Sequence, residues 1–191
     1  STLSSSSAAS DVYKRQVGGQ GTRLRPLTVN TPKPMLPTAG HPFLEHLLGR
    51  IRAAGMKHVV LGTSYRAEVF EEHFGDGSDL GLEIEYVFEA EPLGTGGGIR
   101  NVLDKLRYDT AMIFNGDVLG GTDLRAVLGT HAEKDADVTM HLVRVPDPRA
   151  FGCVPTDEDG RVLEFLEKTQ DPPTDQINAG IYVFRREIIE S

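Results

Sequence analysis

The sequence predicts an α/β fold of Rossmann-like type: a mostly parallel sheet with helices on both faces, plus a small antiparallel β annex. Three observations predict it. From about residue 43 to residue 145, short apolar runs alternate with segments bearing a one-sided apolar stripe, which implies right-handed crossovers between parallel strands. Beyond Pro146 the pattern changes to strand-like runs about an Asp-Gly turn. At 191 residues the chain is long enough for one domain to bury a core without staples.

Each element has its own signal. Residues 1–10, STLSSSSAAS, are small and polar, a composition that favours disorder. In PFLEHLLGRIRAAG, Leu44, Leu47, Leu48 and Ile51 fall on one helical face and Gly55 closes the helix. HVVLGT is a short apolar strand, RAEVFEEHFG a helix ending at Gly75, and LEIEYVFE an alternating strand. A helix near 95–106, the strand TAMIFNGD, a helix near 123–134 and the strand DVTMHLVRV continue the alternation. The annex comprises FGCVPTDEDGRVLEFLEK, a Pro-rich loop and the strand AGIYVFR. In such a sheet, ligands gather at the carboxyl ends of the strands.

Charge and composition narrow the partners. The net charge of −8 argues against nucleic acid, whose binding needs a basic surface. Yet residues 1–50 hold six Lys/Arg against two Asp/Glu, a local cationic patch that suits a small polyanion. No apolar run approaches the ~20 residues needed to cross a bilayer, so a membrane is not an expected partner. Cys153 is the single cysteine, which excludes a disulfide framework and points to a reducing cytoplasm. The six histidines lack the His-Glu-x-x-His spacing of a zinc site, and DEDG at 157–160 reads as a hairpin turn.

The chemistry concentrates in GGQGTRLR, residues 18–25. Glycines let backbone N–H groups approach a phosphate closely, and arginines neutralise its charge. Neither a Walker loop nor a dinucleotide fingerprint fits, since no Gly-Lys-Ser/Thr follows and Leu24 stands where the third glycine belongs.

GGQGTRLRPLTVNTPKPMLP, followed in order by EPLGTGG, FNGD, FGCV, EKT and NAGIYVF, resembles the signature of the sugar-nucleotide pyrophosphorylases. Within that family the likeness is to bacterial mannose-1-phosphate guanylyltransferases. The resemblance covers residues 17–191 and implies the nucleotide-diphospho-sugar transferase fold. It implies transfer of a nucleotidyl group, GMP from GTP, to a sugar 1-phosphate, mannose 1-phosphate, with release of pyrophosphate. Gly18, Gly19, Gly21 and Thr22 would wrap the triphosphate, with Arg23 and Lys33 holding its charge and Gly94 also on the nucleotide. Asp117 would be the Mg²⁺ ligand, a carboxylate among phosphates being a set that magnesium accepts. Gly152, Glu167, Lys168 and Asn178 match the sugar-phosphate positions. Glu89 stands where thymidylyl relatives carry Gln; a carboxylate can accept both donors of the guanine edge. Homo-oligomerisation is left open.

Two departures from the family pattern shape further expectations. Where the family has an apolar central strand, this chain has Val12, Tyr13, Lys14, Arg15, Gln16 and Val17; residues 1–16 are therefore expected to be disordered or foreign sequence. The family also continues for tens of residues past RREIIES, so residues 17–191 are expected to be a nucleotidyltransferase domain incomplete at its C-terminal end, with poor turnover. Heptose 1-phosphate guanylyl transfer and glucose 1-phosphate thymidylyl transfer are alternatives of the same chemistry. A non-catalytic nucleotide-sugar-binding module of the same fold is an alternative of another class.

Overall fold

A computed structural model of the chain describes residues 10–15, 24–64, 66–91, 93–115 and 119–191. The elements run β1 (Asp11–Arg15), β2 (Pro37–Thr38), β3 (His41–Pro42), α1 (Phe43–Ala53), β4 (His58–Thr63), α2 (Ala67–Phe74), β5 (Glu83–Phe88), α3 (Gly94–Asn101), β6 (Thr110–Asn115), α4 (Leu124–Glu133), β7 (Val138–Arg144), β8 (Gln176–Arg185) and α5 (Arg186–Glu190). The main sheet has the order β5-β4-β1-β6-β8-β7, and β2 pairs with β3 in a separate ribbon. Strands β5, β4, β1 and β6 are mutually parallel; β8 runs antiparallel to both β6 and β7.

The parallel strands are covered on both faces, and their side chains alternate between two cores. Val12, Val59, Leu61, Met112 and Phe114 face a cluster with Leu44, Leu47, Leu48 and Ile51 of α1, Phe70 and Phe74 of α2, and Leu124, Val127 and Leu128 of α4. Tyr13, Val60, Ala111 and Ile113 face the other way, onto Ile99 of α3 and Ile189 of α5. The four buried residues of α1 are the four its sequence stripe names. Asp123 caps α4 by accepting from the Arg125 and Ala126 N–H groups, a contact worth about 1 kcal/mol.

Three features differ from the sequence reading. The helix expected over 95–106 ends at Asn101 and gives way to a 3-10 turn at Leu103–Lys105, which lets Val102 and Leu106 both bury against the sheet. The strand expected at 179–185 begins at Gln176 and inserts between β6 and β7, because its alternate residues Ile181 and Val183 complete the core. Residues 11–15, placed by sequence in a disordered or foreign segment, form the strand at the centre of the sheet.

The amino ends of the parallel strands are fastened by buried charge. Asp11 Oδ1 meets His58 Nδ1 at 2.5 Å, and Asp11 Oδ2 accepts from the Arg107 and Tyr108 N–H groups at 2.6 and 2.7 Å. Nε2 of His58 reaches Glu85 at 3.0 Å, and Glu85 also receives Lys105 and Arg107. Burial pulls the His58 pKa down, but the bonds to Asp11 and Glu85 outweigh it and hold it above its ordinary value. The Arg107 guanidinium, then Lys105, hold Glu85 down at about 2.

Candidate active site

The opposite, carboxyl edge of the parallel strands carries the candidate site. Arg15 of β1 and Asn115 of β6 are register partners, so the chain leaves the sheet toward residues 16–23 and toward residues 116–118 from one shared rung. Gly18, Gly19, Gly21, Thr22, Arg23 and Asp117 lie outside the described residues. The chain returning from 118 is fastened at Thr122, whose carbonyl accepts from Arg50 of α1 and whose hydroxyl meets His141 Nε2 of β7 at 2.8 Å. Lys33 is exposed on a 3-10 turn anchored by the buried Pro34 and Met35.

Glu89 follows the last rung of β5, with its N–H donating to Thr63 of β4 at 2.7 Å. Its side chain is 7% exposed, and Oε1 accepts from the Tyr13 hydroxyl at 3.1 Å. Two glycines make the space: a Cβ on Gly62 would stand 2.8 Å from that hydroxyl, and one on Gly98 would stand 3.1 Å from Glu89 Oε1. Gly94 begins α3 close by in sequence and is exposed, with φ of +72°. Glu89, expected from sequence to read the base, is thus a buried carboxylate backed by the central strand. Sequence reasoning missed Tyr13, Gly62 and Gly98; a glycine inside the strand HVVLGT was the available signal of close approach.

The annex assembles three of the sugar-phosphate positions. Cys153 bridges Leu166 on one side and Ile177 on the other, both antiparallel. Gly152 precedes Cys153, Glu167 follows Leu166 and Asn178 follows Ile177, so the two bridges bring into one neighbourhood three residues spread over 27 positions of sequence. Gly152 is required there by packing as well, since a Cβ would come within 2.8 Å of the Leu166 carbonyl oxygen. Asn178 is half-buried at a bulge of β8, where its Oδ1 accepts from the Gly180 N–H at 2.8 Å and its Nδ2 donates to the Tyr182 hydroxyl. Gly180, with φ of +72°, makes that bulge. Glu167 and Lys168 are exposed, with no ion-pair partner among the described residues. The DEDG segment is a tight turn, with Asp157 Oδ1 accepting from the Asp159 and Arg161 N–H groups.

A family model described as nucleotidyl transferase matches residues 17–191. The chain belongs to the nucleotidyl transferase family. A mannose-1-phosphate guanylyltransferase of Mycobacterium tuberculosis is 71% identical over 174 residues, which cover 91% of this chain and 48% of that protein. The chain therefore spans about half the length of that relative. A D-glycero-alpha-D-manno-heptose 1-phosphate guanylyltransferase of Aneurinibacillus thermoaerophilus is 37% identical over 174 residues, covering 91% of this chain and 74% of that one. Among solved structures, HddC from Yersinia pseudotuberculosis superposes with a TM-score of 0.81 at 30% identity, over 95% of this chain and 79% of that chain. The same protein complexed with GMP-PN gives a TM-score of 0.80. The fold is that of the nucleotidyltransferases, as expected from sequence.

The metal question turns on donors. No three His, Cys, Asp or Glu side chains gather as a metal site among the described residues. A cation here would rest on Asp117 together with substrate phosphate oxygens, a set that fits a hard ion such as Mg²⁺.

Proposed function

We propose that the protein transfers GMP from GTP to mannose 1-phosphate, releasing pyrophosphate and forming a nucleotide sugar. The observation that carries this reading is the 71% identity to the mycobacterial mannose-1-phosphate guanylyltransferase across nearly the whole matched region. Heptose 1-phosphate is the second acceptor to test, because relatives acting on it match at 37% identity with the same nucleotide.

The chemistry asks little of acid–base groups. A phosphate oxygen of the sugar, already anionic near pH 7, attacks the α-phosphorus of GTP, and the bond to the β-phosphate oxygen breaks. Catalysis is then positioning and charge neutralisation. The amides of Gly18, Gly19, Gly21 and Thr22 would cradle the triphosphate, with Arg23 and Lys33 neutralising the departing pyrophosphate. The shared rung of Arg15 and Asn115 supports this, because it starts that loop and the Asp117 segment side by side. Asp117 would hold Mg²⁺, which when bound offsets phosphate charge. Glu89 would accept from the guanine edge, a bidentate pairing worth roughly 1 to 3 kcal/mol of discrimination, with Gly94 leaving the backbone open beside it. Glu167 would take hexose hydroxyls and Lys168 the sugar phosphate, Gly152 and Asn178 completing that wall.

A thermal-shift panel tests the reading, because ligands that bind the folded state raise its melting temperature by mass action. With Mg²⁺ present, GTP should stabilise the chain more than dTTP, UTP or ATP, and Arg23→Ala should abolish the shift. A shift with dTTP alone would overturn the guanine assignment, and an unaltered Arg23→Ala response would remove the phosphate loop from the site.

A further inference from the structure

We infer that the cleft at the amino end of β6 is a second binding site, for a small aliphatic diamine, held by Asp109, Glu187 and His131. It lies at the far end of that strand from the candidate active site: Thr110 opens β6 where it pairs with Arg185 of β8, and Asn115 closes β6 at the other edge. Five strand steps separate the two, roughly 16 Å. The cleft has a volume of about 630 Å³ and is walled by the start of β6, the carboxyl end of α4 and helix α5. That volume lies within the range of small-ligand sites.

His131 is the residue that points to a ligand. It is 6% exposed, whereas the residues around it in the cleft wall are exposed or half-buried, so its ring forms the floor. Its Nδ1 meets the Thr139 hydroxyl at 2.9 Å, and its Nε2 has no hydrogen-bond partner among the described residues. A buried polar atom left unpaired costs about 1 to 3 kcal/mol, a cost that a donor entering the cleft removes. Burial disfavours the imidazolium, so when Nδ1–H donates to Thr139 the Nε2 lone pair is an acceptor.

The sign of the ligand follows from the charges. Four carboxylates, Asp109, Asp135, Glu187 and Glu190, stand against two guanidiniums, Arg185 and Arg186. Both guanidiniums are engaged: Arg185 binds Asp135 and the Ala136 carbonyl, and Arg186 binds Glu190 at 2.8 Å and the Leu106 carbonyl. Asp109 has no ion-pair partner among the described residues, and Glu187 reaches Arg185 only at 3.7 Å. The carboxyl end of α4 adds the negative end of a helix dipole. An anion would meet arginines already occupied, whereas two ammonium groups match the two loosely held carboxylates and supply the donor that Nε2 lacks. No three His, Cys, Asp or Glu side chains gather as a metal site among the described residues, which favours ammonium groups over a bare divalent ion.

The test titrates 1,4-diaminobutane into the 191-residue chain by calorimetry, with the His131 ring followed by NMR. The diamine should bind saturably and move the His131 ring resonances, and n-butylamine should bind roughly tenfold more weakly, the scale of one charge-assisted hydrogen bond. Asp109→Asn and Glu187→Gln should each weaken the diamine about two- to fivefold, while Glu72→Gln, an exposed carboxylate on α2, should leave it unchanged. A diamine that leaves the His131 ring unmoved, or binds no better than butylamine, refutes the site. Equal losses from Glu72→Gln would reduce the binding to general charge attraction. Mg²⁺ or inorganic phosphate moving the same resonances as far as the diamine does would make the cleft an unselective ion site, which also overturns the inference.

Discussion

The Tyr13 hydroxyl donates to Glu89 Oε1 across 3.1 Å, joining the central strand to the segment that follows β5. Both side chains are buried, so removing the donor leaves a carboxylate oxygen short of a partner in a place water does not reach. Tyr13→Phe should destabilise the chain by about 1.5 to 3 kcal/mol, the range for a hydrogen bond to a charged group. A double-mutant cycle with Glu89→Ala, read by urea denaturation, should recover most of that cost as coupling; additive losses would show the two groups to be independent.

Gly152→Ala places a methyl 2.8 Å from a backbone carbonyl that cannot swing aside. The expected cost is about 1 to 3 kcal/mol, with weaker binding of mannose 1-phosphate because the rung beside Glu167 must open. Gly49→Ala is the control. It sits in α1 with nothing within 4 Å of the new methyl, and should stabilise the chain by up to about 1 kcal/mol through helix propensity.

Two buried histidines bend the pH profile in opposite directions. The His58 pKa is raised above 6.5, so its stabilisation is full below that value and is lost as pH climbs through the raised one. Burial lowers the pKa of His131, whose Nε2 has no hydrogen-bond partner among the described residues; its contribution is present above 6.5 and is lost as pH falls. The urea midpoint of His58→Gln should trail wild type most near pH 5.5 and least near pH 8.5. For His131→Gln, any deficit should be largest at the higher pH and shrink in acid. Glu85, held at about 2, adds stability that persists above its ordinary 4.5 and fades only in stronger acid.

Strand β1 lies between β4 and β6, with Lys14 paired to Leu61 and Phe114 and Arg15 to Gly62 and Asn115. Such a position ordinarily takes apolar residues. Replacing Lys14 and Arg15 together by valine should raise the urea midpoint, and an unmoved midpoint would show that the cationic strand costs nothing.

The sequence is most legible where periodicity and burial agree. The stripe of α1 and the apolar runs of β4 and β6 lie where local pattern places them. Less legible is what depends on partners far along the chain. Strand β8 was readable as a strand, but its place between β6 and β7 follows from how Ile181 and Val183 complete the core. Residues 11–15 read poorly because Lys14 and Arg15 break the apolar run, while Val12 and Tyr13 still alternate between the two cores. In the site, Glu89 and the annex residues come from motif likeness. That the segments carrying Gly152, Glu167 and Asn178 meet follows from two isolated bridges at Cys153 that no spacing rule announces.

Strand β8 belongs to both halves of the molecule: its last residues are woven beside β6, while its first reach beyond Phe114 to meet Cys153. If the annex holds the acceptor as proposed, a protein made this way would exchange its acceptor without re-engineering its donor side. Chimeras that transplant residues 147–178 from a heptose-directed relative, joined where the strand enters the main sheet, should inherit the new sugar preference and keep the old base.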